Sequence, residues 1–253
     1  MTDLPSTLAR LVPLTDEAGR LAQSYRGDLR TTLKPDGSIV TRADQGVERM
    51  LRERLVELVP GTTIWGEEEG FETAGIGGVW LVDPIDGTSN FAYGSPLWGV
   101  SVALVQSGDI VLGVVSIPDL GETYSSYRGA GTAWCNDLVL PPIEPGPIRD
   151  EELVSFSDGL MRGNPLVVWP GKMRYSGAFV IDGCWVARGR LRGMVDYKCK
   201  LYDAAACILI CQELGGEVRY ANGDPFVVAD VLFDRPIGRP FVIFPRDSGF
   251  VIR

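Results

Sequence analysis

The sequence predicts an α/β protein with an N-terminal half of α+β type and a C-terminal half in which helices and strands alternate. Residues 39–127 combine an amphipathic helix with consecutive strand patterns, whereas residues 178–244 switch repeatedly between helix and strand. Between these regions lies the proline-rich segment 141–147, which is typical of a linker. We therefore expect one unit over residues 1–140 and another over residues 148–253.

Two helices are expected near the N-terminus. The first carries apolar residues at helical spacing from Leu8 to Tyr25, with an interruption or kink at Pro13. The second follows Asp44, whose charge can face the positive end of the helix dipole. Its apolar positions are Val47, Leu51, Leu55 and Val59.

The remaining elements follow from apolar runs and turn residues. In the N-terminal half, strands are expected at residues 62–65, 80–82, 100–105, 110–117 and 122–127. In the C-terminal half, a helix over residues 178–187 precedes a strand at 193–195. A second helix begins near Asp203 and ends at Gly215 and Gly216, because paired glycines stop a helix. Strands at residues 217–220 and 241–244 complete the pattern.

The segment from Trp80 to Phe91 is the most informative, because an apolar strand runs directly into a turn that carries Asp83 and Asp86. Two carboxylates on a rigid turn can hold hard cations. Gly87 and Thr88 then open a helix whose free N–H groups attract an anion. The alternative is a surface turn, since Asp-Pro and Asp-Gly are ordinary turn formers. The segment indicates a site for metal and phosphate.

Three other acidic residues accompany this turn. Glu67 lies in the acidic run 66–69 after a predicted strand, Asp203 opens a helix, and Asp44 lies in the first turn of another. Each has a structural alternative: a solvated loop for Glu67, a helix N-cap for Asp203 and a dipole-facing charge for Asp44. The combination favours a shared site over three independent structural roles.

These segments, in this order, resemble the inositol monophosphatase superfamily of magnesium-dependent, lithium-sensitive phosphatases, and the resemblance covers nearly the whole chain. The Lys34–Asp44 stretch and the paired glycines at 215–216 are supporting matches. The resemblance implies a layered αβαβα sandwich of the inositol monophosphatase/fructose bisphosphatase type, with Mg²⁺ where the two halves meet. Two to three ions per site are expected.

The resemblance also implies a set of metal ligands. Glu67, Asp83 and the backbone carbonyl of Ile85 correspond to the ligands of a first metal. Asp83, Asp86 and Asp203 correspond to those of a second metal. Glu67 also faces a third ion that is held more weakly.

Catalytic and substrate roles are implied in the same way. Asp44 and Thr88 match the pair that orients and deprotonates the attacking water, with Glu67 beside them at the third ion. The N–H groups of Gly87 and Thr88 match the phosphate cradle. Asp196 matches an acidic residue that binds a substrate hydroxyl, although a charge at a strand end is an equally good interpretation.

Composition restricts the chemistry independently. The chain contains no histidine, which excludes a Ser-His-Asp triad, a Cys-His pair and a histidine-ligated zinc site. Oxygen ligands favour magnesium, manganese or calcium, and magnesium fits best because it is typically bound through carboxylates together with substrate phosphate.

The net charge of -9 makes nucleic acid a poor partner. The five cysteines include no Cys-x-x-Cys pair. With no apolar run long enough to span a membrane, we expect a soluble cytoplasmic protein.

The residues that bear on the substrate carry features of two branches of the family. Residues 89–91 resemble the inositol and fructose phosphate branches, whereas residues 96–99 and 200–203 resemble the histidinol-phosphate branch. Ala178 and Arg192 depart from the inositol pattern, which has Ser or Thr and Asp there. We expect a phosphomonoesterase for a small polyol or sugar-like phosphate, with inositol monophosphate as the leading candidate and histidinol phosphate as the runner-up. A homodimer is what the family suggests.

Two further alternatives remain. The haloacid dehalogenase signature, which forms an aspartyl-phosphate, needs two aspartates separated by one residue, but two residues separate Asp83 from Asp86. A catalytically silent binding or regulatory member is disfavoured, because every expected ligand is present. Three basic residues have open roles and can contact substrate: Arg174, Lys198 and Lys200.

Overall fold

The computed structural model describes residues 2–29, 31–34, 37, 39–71, 77–157, 170–232 and 235–250. Within these residues the helices are α1 (Leu4–Ser24), α2 (Arg42–Leu58), α3 (Thr88–Ala92), α4 (Phe179–Ala187) and α5 (Leu201–Glu213). The expected helices are therefore present. Of the supporting Lys34–Asp44 stretch, Pro35, Asp36 and Ser38 lie outside the described residues.

The strands form three sheets. In the N-terminal half they are β1 (Thr31–Leu33), β2 (Ile39–Thr41), β3 (Thr63–Gly66), β4 (Gly70–Phe71), β5 (Val79–Asp86), β6 (Gly99–Gln106), β7 (Asp109–Ile117), β8 (Glu122–Tyr127), β9 (Trp134–Cys135) and β10 (Leu138–Val139). In the C-terminal half they are β11 (Leu153–Phe156), β12 (Lys172–Arg174), β13 (Gly193–Asp196), β14 (Gly216–Tyr220) and β15 (Phe241–Pro245).

The order of the strands in each sheet defines the architecture. β1 and β2 pair as a hairpin, and the large sheet runs β10-β9-β8-β7-β6-β5-β3-β4. The small sheet runs β12-β11-β13-β15-β14 and mixes parallel with antiparallel pairs. The expected α/β class is confirmed.

The layers follow from alternation along the strands. Trp80 and Val82 of β5 pack in one apolar cluster with α1 and α2, whereas Leu81 packs in another with α4 and α5. The second cluster also contains Met194 and Ile243 from the small sheet. Helix pair, large sheet, helix pair and small sheet therefore stack in that order. Because α4 and α5 lie between the two sheets, their N-termini reach the ends of β5 and β6.

Pro13 does not interrupt the first helix. α1 continues through Pro13, so of the interruption or kink that we expected the interruption is wrong, whereas the kink stays a prediction. A proline costs the helix one backbone hydrogen bond. On both sides of it α1 buries apolar residues, including Leu11, Leu14 and Ala18, against α2 and the large sheet. This packing outweighs the local cost.

The proline-rich segment 141–147 lies between the strands of the two sheets in the chain. The N–H of Ile143 donates to the Leu214 carbonyl at 2.8 Å, and Arg192 Nη1 donates to the Glu144 carbonyl at 2.8 Å. Arg192, which departs from the family pattern, thus attaches this segment to the C-terminal half. The division into units at 1–140 and 148–253 stays a prediction.

Within the described part of the chain, no helix is both long and apolar enough to cross a membrane.

Candidate active site

Strand register brings Glu67 and Asp83 to the same edge of the large sheet. β3 and β5 are parallel, with Gly66 opposite Val82, so Glu67 and Asp83 are the next residues on each strand. The Glu67 N–H donates to the Val82 carbonyl at 3.2 Å. After Asp83 the pairing with β6 is irregular as far as Asp86, which turns the chain away from the ladder. The two strands therefore deliver carboxylates to one place.

The first turn of α5 meets this edge through β6. Asp83 pairs with Ser101, and the Ser101 hydroxyl donates to the Tyr202 carbonyl at 3.1 Å. Asp203 is therefore placed beside Asp83. Its Oδ2 accepts the Lys200 N–H at 2.7 Å, so Asp203 is the third residue of the first turn and not the N-cap that we weighed as an alternative.

Asp86 connects the two halves. Its Oδ2 accepts the Val180 N–H, in the first turn of α4, at 2.6 Å. The neighbouring Gly87 is the N-cap of α3 and has φ +83°, a conformation that favours glycine. A Cβ there would also lie 2.8 Å from the Ala178 Cβ. The backbone of the Asp86–Thr88 turn thus requires Gly87 on both grounds.

Thr88 and Asp44 also meet, as expected. Thr88 Oγ1 lies 3.4 Å from Asp44 Oδ1 and 3.0 Å from the Ile85 carbonyl oxygen. Asp44 is buried, and its Oδ2 accepts the Thr41 N–H at 2.7 Å as part of the capping box of α2. The first-turn role is therefore real, and it fixes one oxygen while leaving the other beside Thr88.

Desolvation dominates the electrostatics. The surrounding protein raises the pKa values of Asp83 and Asp203 well above the usual range, and repulsion from Glu67 raises both further. Desolvation likewise raises the pKa of Asp86 to about 7 and that of Asp44 to about 6. Clustered carboxylates of this kind are stabilised by a divalent cation, and their oxygen-only donor set fits Mg²⁺.

The carboxylates are not arranged as a completed metal site. Among the residues that the structure describes, no three acidic side chains form a group ready to ligate an ion. The ammonium group of Lys34 instead lies between the carboxylates of Glu67 and Glu68, at 2.9 and 2.6 Å. Desolvation also raises the pKa of Glu68, to about 7. Lys34 therefore neutralises part of the charge on Glu67 and Glu68.

Glu48 is a site-forming residue that sequence reasoning missed. It is fully buried, and its carboxylate accepts the N–H groups of Glu68 and Glu69 at 2.8 and 3.0 Å. A Cβ on Gly66 would lie 2.1 Å from Glu48 Oε1, so only glycine fits there. Glu48 thereby shapes the loop that presents Glu67. One feature of the sequence could have pointed to Glu48: it is an acidic residue on the apolar face of α2, four residues after Asp44.

Asp196 lines the same cavity as Asp86 of the turn. The cavity has a volume of about 280 Å³, and Asp86, Asp196 and Asp203 are among its lining residues. Asp196 Oδ1 accepts the Lys198 N–H at 2.9 Å, so the strand-end role also holds. Lys198 lines the same cavity. A larger groove of about 920 Å³ contains none of the predicted site residues, so we assign it no part in the chemistry.

The raised pKa values predict how stability depends on pH. A carboxyl whose folded pKa is raised binds its proton more tightly in the folded state, so its contribution is lost as pH rises through the folded pKa. For Asp44, Asp86 and Glu68 this window runs from about pH 4 to about pH 7. Metal-free protein should therefore melt at a higher temperature at about pH 5 than at about pH 8. A thermal melt in chelator at the two pH values measures this, and the opposite order would contradict the electrostatic description.

Comparison with known proteins first identifies the class. The IMPase of Thermotoga maritima shares the fold with a TM-score of 0.78 and 27% identity, over 93% of this chain and 90% of that one. The fold is thus one of phosphate monoester hydrolases. The model of the inositol monophosphatase family matches residues 6–234, so the chain belongs to that family. The family resemblance that we inferred from the sequence is confirmed.

Three curated relatives show the range of functions that are named within the family. The chain is 34% identical to the histidinol-phosphatase of Chlorobaculum parvum, over 80% of this chain and 81% of the relative. It is also 34% identical to the inositol-1-monophosphatase of Rhizobium meliloti, over 78% and 77%. The Nus factor SuhB of Pasteurella multocida is equally similar, at 34% over 80% of each chain. Similarity at this level defines the enzyme class without distinguishing between substrates.

Proposed function

We propose that the chain is a Mg²⁺-dependent phosphomonoesterase that hydrolyses a small polyol or sugar-like phosphate by attack of an activated water. Inositol monophosphate is the leading candidate substrate. The observation that supports this most strongly is the convergence of Asp83, Asp86 and Asp203, where desolvation and repulsion from neighbouring carboxylates raise the pKa values of these three aspartates. A divalent cation relieves that repulsion.

The residues that would hold Mg²⁺ are those at the strand ends. Glu67, Asp83 and the Ile85 carbonyl would hold one ion, and Asp83, Asp86 and Asp203 a second, with a third near Glu67. Bound Mg²⁺ supplies a Lewis acid that lowers the pKa of the attacking water and stabilises charge on the phosphate and the leaving oxygen. The Lys34 ammonium group contacts Glu67 Oε1 at 2.9 Å, so the other carboxylate oxygen of Glu67 would be the one to bind an ion.

The remaining steps belong to the chain's own groups. The N–H groups of Gly87 and Thr88, at the start of α3, would bind the phosphate. The Thr88 hydroxyl would orient the water, and Asp44 would accept the proton through it, consistent with their 3.4 Å separation. The Asp44 pKa of about 6 suits a general base near neutral pH. Asp196 would contact a hydroxyl of the leaving group from the cavity wall.

Histidinol phosphate is the second candidate, because one relative at 34% identity carries that activity in its name. A regulatory member without catalysis is the alternative of another class, and the name of the Nus factor relative gives it some support. The retained site residues favour turnover. Exclusion of nucleic acid, cytoplasmic location and a homodimer stay predictions.

A substrate panel with phosphate release as the readout tests the proposal. In Mg²⁺, we expect kcat/KM to be highest for inositol monophosphate, lower for histidinol phosphate and lowest for nucleotide monophosphates. Preference for histidinol phosphate would select the second candidate. Absence of phosphate release from every ester would reject the proposed function and favour the regulatory alternative.

A further inference from the structure

A group of polar and aromatic side chains lies beside α3 and has no role in the chemistry proposed above. One member is in the last turn of α1, and another is in the short 3₁₀ turn Tyr25–Asp28 that follows it. A third directly precedes β6, and the fourth follows β7. These four residues are Gln23, Arg26, Trp98 and Asp119, and we refer to them as the Arg26 cluster.

Asp119 connects the members of the Arg26 cluster. Its Oδ1 accepts the side-chain amide of Gln23 at 2.9 Å. Its Oδ2 accepts Trp98 Nε1–H at 2.7 Å and also pairs with the Arg26 guanidinium. Desolvation alone would raise the Asp119 pKa, but the hydrogen bonds from these three side chains outweigh it and hold that pKa below its usual range. The carboxylate is therefore charged at neutral pH, as the ion pair requires.

The Arg26 guanidinium also lies over two aromatic rings. Its Cζ is 5.1 Å from the centre of the Phe91 ring and 5.4 Å from that of the Trp98 ring. The two rings meet edge to face with 4.7 Å between their centroids, and both residues are fully buried. A guanidinium within about 6 Å of an aromatic centroid is attracted to the ring. Asp119 and the two rings thus fix the guanidinium together.

Phe91 connects the Arg26 cluster to the active site. It lies three residues after Thr88 in α3, so the two residues are neighbours on one helix face. Its N–H donates to the Gly87 carbonyl at 2.9 Å and closes the turn that contains Thr88. The next residue back, Asn90, donates from Nδ2 to the Ser176 carbonyl at 2.9 Å. A helix of five residues is too short to be stable alone, so such contacts determine where α3 lies.

We propose that Arg26 is a positioning residue, which holds α3 through Phe91 so that the Thr88 hydroxyl stays beside Asp44. The inference rests on the proposed function, in which this hydroxyl orients the attacking water. Thr88 Oγ1 lies 3.4 Å from Asp44 Oδ1, at the long end of hydrogen-bond distances, so a small displacement of α3 separates the two groups. The aspartates expected to hold Mg²⁺ lie on other elements, β5 and α5. Metal binding should therefore depend little on Arg26.

The test compares kcat in Mg²⁺ for four full-length proteins: wild type, Arg26→Met, Thr88→Ala and the double variant. The substrate is the ester of the panel that wild type hydrolyses fastest. Methionine keeps an unbranched side chain but removes the charge, so the ion pair and both ring contacts are lost. We expect kcat to fall about tenfold, since a misplacement of about 1 Å can cost 100-fold. In the Thr88→Ala background the same change should lower kcat less than about twofold, because the hydroxyl that Arg26 positions is already absent.

A measurement without turnover accompanies these assays. Mg²⁺ that binds the folded protein raises its melting temperature. This rise should be the same in Arg26→Met as in wild type, because the expected metal ligands are untouched. Loss of the rise would show that Arg26 supports the metal site in general, and it would contradict a specific effect on Thr88.

Three further variants complete the design. Asp119→Asn removes the charge that pairs with Arg26 and should lower kcat in the same direction, which keeps the test decisive if Arg26→Met does not fold. Arg26→Lys keeps the charge and should recover part of kcat. Arg10→Met, at an exposed arginine of α1, is the matched control and should change nothing.

Unchanged kcat in both Arg26→Met and Asp119→Asn would overturn the inference. An equal fall of kcat in the wild-type and Thr88→Ala backgrounds would also overturn it, because a purely structural role acts alike in both. Failure of wild type to hydrolyse every ester would instead reject the proposed function.

Discussion

Replacing Asp83 with Asn should lower kcat by about 10²- to 10⁴-fold while the protein remains folded. Asp83 is 2% exposed and lies where β3, β5 and α5 meet. By the family resemblance, it is proposed to hold both principal ions. Loss of one carboxylate there removes charge stabilisation worth several kcal/mol in the transition state. Asp86→Asn should act in the same direction, and it should also weaken the hydrogen bond from Val180.

The same change should stabilise the metal-free protein. The Asp83 pKa is raised first by desolvation and then by Glu67 and Asp86, so an amide removes both costs. Thermal melting in chelator should therefore occur at a higher temperature for Asp83→Asn than for wild type. Asp137→Asn, on the exposed turn between β9 and β10, is the matched control and should change neither property. Near-normal turnover in Asp83→Asn would mean that Asp83 is a turn residue only.

Thr88→Ala and Asp44→Asn should each lower kcat more than they raise KM. Both groups act on the attacking water in our proposal, so their loss affects the transition state more than substrate binding. Asparagine at position 44 keeps an oxygen that can accept the Thr41 N–H, so α2 should still begin at Arg42. Thr62→Ala, a buried threonine whose hydroxyl donates to the Val59 carbonyl, is the control for loss of a threonine hydroxyl. A change confined to KM would assign Thr88 to binding alone.

Acid quenching during turnover separates water attack from the covalent alternative. Asp83 Oδ1 accepts the Ile85 N–H at 3.0 Å, which occupies one of its oxygens in the turn. Together with the spacing of the two aspartates, this favours attack by water. We expect no phosphorylated protein after the quench. A phosphoryl group on Asp83 or Asp86 would move the chain to the covalent mechanism.

Local sequence patterns predicted the elements that carry the site. Asp83 and Asp86 follow an uninterrupted apolar strand, and Asp203 begins a strongly apolar helix, so each element was visible without tertiary information. Parallel pairing of β3 with β5 then required Glu67 and Asp83 to lie together. The ligand roles themselves came from resemblance, and they stay predictions.

Other features depend on contacts between distant residues. Glu48 shapes the loop of Glu67 because its carboxylate accepts the Glu68 N–H. Asp182 of α4 likewise accepts the hydroxyl of Ser155, which lies on β11. No local pattern records either contact. Seven strands of two to four residues were not predicted, because so short a segment shows little alternation: β1, β2, β4, β9, β10, β11 and β12. The continuity of α1 through Pro13 likewise depends on the packing of α1 against α2 and the large sheet.

Phosphate release after removal of divalent cations tests the central claim most directly. The proposed donor set contains only oxygen atoms and repelling carboxylates, so activity should disappear in excess chelator and return on addition of Mg²⁺. By analogy with the family, lithium should inhibit the restored activity. A parallel melt of the chelated protein confirms that it is still folded. Loss and recovery of turnover with Mg²⁺ is the result we predict, and full turnover in excess chelator would contradict the entire site assignment.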